Sequence, residues 1–137
     1  MVAPPADHRD FHRHVMRELN SEADAKANYG RNYGHAFWLS PMVTSPFRYL
    51  RATCDGSLKD QCCGAGFLIY GSEAPGDGDD NWICLAWIAC RVQASSITAA
   101  ELEALAGAMQ FVICKISAPE GCAEFAAKWA PESYPLT

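Results

Sequence analysis

Two carboxylates in this sequence stand where local structure can bring them together. Asp55 closes the alternating run Tyr49–Cys54 and precedes Gly56-Ser57, and Glu101 follows Thr98 by three residues at the start of ITAAELEALAGAMQFVICK. Each alone has an ordinary explanation. An aspartate before glycine is a turn residue, and a glutamate three residues after threonine completes a capping box. Together, one at a strand end and one in the first turn of a helix, they can lie a few ångström apart. Like charges that close must share a proton or a cation. Mg²⁺ or Mn²⁺ suits carboxylate oxygens and leaves positions for water and phosphate. Two such ions about 4 Å apart activate a water on one side and stabilise a leaving oxygen on the other.

The elements that must position this pair are read from periodicity. Residues 49–54 alternate as a strand ending at Asp55, Lys59 to Cys63 make a hairpin connection, and Gly64–Tyr70 form a second strand. The glycines of that strand permit close backbone approach. Residues 71–81 are an acidic, turn-rich loop. Its Asp77, Asp79 and Asp80 lack the following glutamate of a calcium loop, which favours a solvated hairpin. Trp82–Val92 is apolar on both faces, as expected of a central strand. A helix over 98–115 follows, with Leu102, Leu105, Met109, Val112 and Ile116 forming a continuous stripe and small residues around Gly107 allowing close approach to a sheet.

Before this unit, residues 10–17 read as a short strand. Asn20 or Ser21 can cap a helix that carries Ala23 and Ala27 on one face and stops at Gly30. Residues 31–48, broken by Ser40-Pro41 and Ser45-Pro46, read as a linker whose Phe37, Trp38, Leu39, Met42 and Val43 either pack or stack bases, with packing favoured. Residues 117–137 read as an atypical tail with a short helix at 123–130.

The 137 residues, half apolar and a fifth charged, suit one modest globular domain. No apolar run approaches the length of a membrane span, and the N-terminus lacks the apolar core of a secretory signal, so an intracellular protein is expected. Seven cysteines, odd in number and without a C-x-x-C pair, read as small buried side chains rather than as a zinc site or disulfide framework. Residues 1–60 carry a net +1 and residues 61–137 a net −6. That is not the basic footprint of a tight nucleic-acid binder, although Arg9, Arg13, Arg17, Arg31, Arg48 and Arg51 leave room for a local patch.

Asp55-Gly56-Ser57, then Gly64-Ala65-Gly66, two apolar runs and Ala-Glu-Leu-x-Ala-Leu resemble the first half of a ribonuclease H domain. The run His14-Val15-Met16-Arg17-Glu18-Leu19-Asn20 through Asp24 is similar to the last strand and helix of such domains, especially those of retroelement reverse transcriptases. There the pattern is H-V-x-R-x-x-N-x-x-A-D-x-L-A, with Lys26 standing here for its leucine. The resemblance implies an α/β, ribonuclease H-like partial fold: an antiparallel three-strand meander followed by a crossover helix, plus an N-terminal strand and helix. Residues 1–30 would be the end of such a domain, 31–48 a linker and 49–116 its first half. The end of the domain then precedes its beginning, either because the chain straddles two tandem copies or because the order is permuted and the end folds back onto the first half.

The function implied is hydrolysis of the RNA strand of RNA–DNA hybrids with Mg²⁺ or Mn²⁺. Asp55, Glu101 (Glu103 in an alternative register) and Asp24 would be the catalytic and metal-binding acids, and Ser57, Arg17 and Asn20 would contact nucleic acid. Other domains of a polyprotein, or a second copy, would be further partners. The family's acid on the strand after the first helix is missing, since no aspartate follows Asp80. The resemblance therefore implies either an impaired enzyme or a non-catalytic remnant.

Overall fold

The computed structural model describes residues 20–74 and 81–130. The expected strand at 10–17, Arg17, and Asp77, Asp79 and Asp80 lie outside them. Among the described residues the fold is α/β: three α-helices and one four-stranded, wholly antiparallel sheet. Residues 20–33 are helical (α1). Ala36–Leu39 (β1), Tyr49–Lys59 (β2), Cys62–Ser72 (β3) and Ile83–Val92 (β4) follow, then Ile97–Ser117 (α2), a 3-10 turn at Pro119–Gly121, and Cys122–Lys128 (α3). The sheet order is β1-β4-β3-β2. The expected meander is thus β2, β3 and β4, and β4 is an interior strand as its two apolar faces require.

The reading of 31–48 as a linker is corrected. α1 does not stop at Gly30, and residues 36–39 pair with β4, with Ala36 opposite Ala89 and Trp38 opposite Trp87. Gly30 is kept helical for its missing side chain, because a Cβ there would meet the Cys90 carbonyl oxygen at 2.5 Å. The stop comes at Gly34, with φ +91°, whose N–H donates to the Gly30 carbonyl at 2.9 Å. His35 Nε2 donates to the Ala126 carbonyl at 2.9 Å, tying the entry of β1 to α3.

β2 also runs further than expected. It passes through Asp55 to Lys59 in unbroken register with β3, and turns at Asp60 and Gln61, both with positive φ. Two positive-φ residues form the tight hairpin turn whose twist matches the strands.

α1 and α2 cover opposite faces. Gly64 and Gly66 on β3 abut the α1 backbone, where a Cβ on Gly66 would lie 2.6 Å from the Ala27 nitrogen. Ala23 and Ala27 are fully buried there, as their spacing implied. On the other face Gly56 abuts α2, where a Cβ would lie 2.5 Å from the Glu101 nitrogen. The main core lies between this face, α2 and α3. Phe67 packs against Phe111 (ring centroids 6.1 Å apart) and Trp129 (5.2 Å), and Phe111 packs against Phe125 (5.6 Å). The segment read as a tail therefore supplies part of the core.

The α2 stripe is the main surprise. Leu102, Leu105, Met109 and Ile116 are exposed, together with Ile113; the buried face is Ala100, Ala104, Gly107, Ala108, Phe111 and Lys115. Small residues let the helix axis approach the sheet closely, and that contact wins over burial of the larger side chains. Lys115, 4 % exposed, donates to the carbonyls of Val43 (2.6 Å) and Ser45 (2.8 Å), and burial pushes its ammonium pKa down. Ser96 caps the helix, its side chain accepting from the Ala99 N–H at 3.1 Å, so the expected Thr98–Glu101 capping box does not form and Glu101 sits one turn inside. By length and composition α2 could cross a membrane, contrary to the expectation that no such stretch exists; it lies across β2 and β3.

Candidate functional site

The site is built at the sheet edge formed by β2. Side chains alternate along a strand, so Cys54 and Gly56 face α2 while Asp55 and Ser57 face α1. Opposite Asp55 on β3 stands Gly66, and opposite Ser57 stands Gly64. These two glycines let α1 settle onto the sheet beside the two polar residues. The N-terminal part of α1 and the start of α2 thereby reach around β2 from its two faces.

Asp24, on α1, comes within hydrogen-bonding reach of Asp55. The helix bearing Asp24 docks on the meander of the same polypeptide, against Gly64 and Gly66. The carboxyl of Asp55 is pushed above its ordinary range, chiefly by burial, with Asp24 and then Glu101 acting in the same direction; the Gly56 N–H, 2.9 Å from one Asp55 oxygen, opposes them. The neighbouring Cys54 thiol is also pushed up by burial and then by Asp55 and Glu101. Asp24 and Glu101 are themselves exposed. A pocket of about 360 Å³ is lined by Asn20, Cys54, Asp55, Thr98, Glu101, Leu102 and Leu105. Glu103 is absent from this lining.

A second cluster holds α1 in place. The buried Ser57 hydroxyl donates to Asn28 Oδ1 at 2.6 Å; Arg31 donates to the same oxygen at 3.0 Å and also to Ser57. Asn28 in turn donates to Asp24 at 3.4 Å. Ser57, expected to contact nucleic acid, is thus turned inward to position α1. Asn20 does line the pocket. Asn28 and Arg31 were not singled out in the sequence; their spacing of four and seven from Asp24, along one side of a helix, was the available signal.

The donor chemistry of Asp24, Asp55 and Glu101, all carboxylate oxygen, fits Mg²⁺ or Mn²⁺. In this arrangement Asp24 approaches Asp55 and Glu101 lines the same pocket as Asp55, and among the described residues no three His, Cys, Asp or Glu side chains are gathered as a ready metal cluster. A larger pocket, about 630 Å³, lies at the β2–β3 turn around Lys59, Cys62 and Arg91, away from the three acids.

Compared with known proteins, the chain matches no family model, no curated protein and no solved structure.

Proposed function

We propose that this chain is a ribonuclease H-like, nucleic-acid-binding domain that hydrolyses the RNA strand of RNA–DNA hybrids with a divalent ion. The observation that carries the reading is the approach of Asp24 to Asp55, on elements far apart in sequence, with Glu101 lining the same pocket as Asp55. Asp55, Asp24 and Glu101 would hold Mg²⁺ or Mn²⁺, which when bound activates water and stabilises the leaving oxygen.

The chain's own residues prepare that site in three ways. The Ser57–Asn28–Arg31 cluster keeps α1 seated, so that Asp24 faces Asp55. Two carboxylates brought together repel, and a cation bound between them would relieve that repulsion. Asn20, on the pocket rim, offers a neutral amide to the phosphate or sugar of a bound strand. Selection of the hybrid would rest on its duplex shape and the 2′-hydroxyl.

The test is cleavage of a labelled RNA–DNA hybrid with Mg²⁺ or Mn²⁺, comparing the natural chain with Asp55→Asn and Asp24→Asn. Cleavage abolished in both variants is expected. If the natural chain neither cleaves the hybrid nor binds the ions, the proposal is lost.

A second reading is a non-catalytic interaction domain of a larger polyprotein. It is favoured by the exposed apolar face of α2, which includes Ile113 and Ile116, the latter 69 % exposed. Under this reading Asp55→Asn changes neither ion binding nor any cleavage.

A further inference from the structure

On the α1 face of the sheet, away from the three acids, stand four aromatic residues. Tyr29 and Tyr33 lie with ring centroids 4.8 Å apart, and Tyr29 meets Trp87 at 6.4 Å, edge to face. Trp38 is the β1 partner of Trp87 and so stands beside it on the same face. Tyr33 is 73 % exposed, and Tyr29 and Trp38 are each more than two-fifths exposed. Single exposed apolar residues need no explanation; four aromatic residues on one face, three of them well exposed, do.

Cations flank this group. The Lys26 ammonium lies 4.1 Å from the centroid of the Trp87 ring. Arg91 is exposed at the other end of α1, its guanidinium donating to the carbonyls of Arg31 (3.2 Å) and Asn32 (3.3 Å). Glu22, one turn before Lys26, is the acid on this side of α1, and Asp24 is turned toward Asp55. A chain with net charge −5 has here a locally cationic face.

We infer that Tyr29, Tyr33, Trp38 and Trp87, with Lys26 and Arg91, form a stacking platform for the unpaired bases of a single-stranded nucleic acid. The rings offer π-faces that any base can stack on, and the two cations meet the phosphates running alongside. The platform does not depend on the proposed hydrolytic site, because it uses none of the three acids and needs no metal. One polypeptide could then hold an unpaired strand on one side of α1 and a scissile phosphate on the other.

The experiment is fluorescence anisotropy of a labelled oligothymidine of about 12 nucleotides, within the site sizes common for such platforms. It is run in EDTA at low salt, so that the carboxylate site contributes no metal-dependent binding. Salt-dependent binding is expected, weakened about 5- to 100-fold in Tyr33→Ala combined with Trp38→Ala. Both side chains are exposed, so the fold should persist, and circular dichroism checks this. Lys26→Gln should lower the slope of log affinity against log salt by about 0.7. Lys128→Gln, on α3, should leave binding as it is. Absence of salt-dependent binding overturns the inference, as does binding that the double substitution does not weaken. If the double substitution instead changes only the protein's own self-association, the face is a protein interface and the inference fails.

Discussion

At the scale of single residues, Asp55 has conflicting demands placed on it. It is partly desolvated, faces Asp24, and feels Glu101, so its carboxyl pKa is raised above the ordinary 3.8. The sign of the stability effect follows from linkage: a raised folded pKa adds stability that is complete below the unfolded pKa and is lost as pH rises through the folded one. Ionisation of Asp55 as the pH rises therefore costs the metal-free fold stability. Asp55→Asn is expected to raise the melting temperature at pH 7 without metal, and the gap should close as the pH falls toward 3.8. Mg²⁺ should raise the melting temperature of the natural chain and leave that of the variant unmoved. Scanning calorimetry with and without Mg²⁺ reads both effects.

Lys115 shows the opposite balance, since its buried ammonium satisfies two carbonyls of the 43–45 segment. Lys115→Met keeps the apolar stem but leaves those carbonyls unpaired, and should cost about 1–3 kcal/mol in urea unfolding.

Elements are placed here by small residues as much as by large ones. Gly66 sits opposite Asp55 and beneath α1, and Gly66→Ala forces the two backbones apart. The expected cost is about 1–3 kcal/mol, the range for overpacking a tight contact. Because α1 carries Asp24, the same substitution should also weaken ion binding, which isothermal calorimetry can measure on the folded fraction.

The α2 helix gives the complementary prediction. Met109 and Ile113 lie on its outer face, so Met109→Lys and Ile113→Lys should each shift unfolding free energy by less than about 0.5 kcal/mol. Had the Leu102–Ile116 stripe faced the sheet, as its periodicity suggested, Met109→Lys would place a charge in the core and cost several times more. Phe111→Ala, on the inner face, is expected to cost about 3–5 kcal/mol.

The whole molecule brings together what no single element holds. The three acids come from α1, β2 and α2: Asp24 approaches Asp55, and Glu101 lines the same pocket as Asp55, because β2 is the sheet edge that both helices reach around. The amino-acid sequence by itself determined the parts governed by short-range periodicity. These are the meander from the β2, β3 and β4 patterns, the extent of α2 to within two residues, the Ala23–Ala27 face of α1, and the close approach at Gly64 and Gly66.

Tertiary structure alone decided the rest. Whether Asp24 reached Asp55 depended on the path of residues 31–48, and that path includes β1, whose four residues are too few to carry a readable alternation. Ser57 became a positioning residue because α1 brought Asn28 and Arg31 to it. The buried face of α2 was chosen by a competition that no local pattern records: helix–sheet approach through Ala100, Ala104, Gly107 and Ala108 outweighed the larger apolar surface of Leu102, Met109 and Ile116. Periodicity tells which residues share a face of a helix. Only the packed sheet, with Gly56 open to the helix backbone and Phe67 waiting for Phe111, determines which of those faces turns inward.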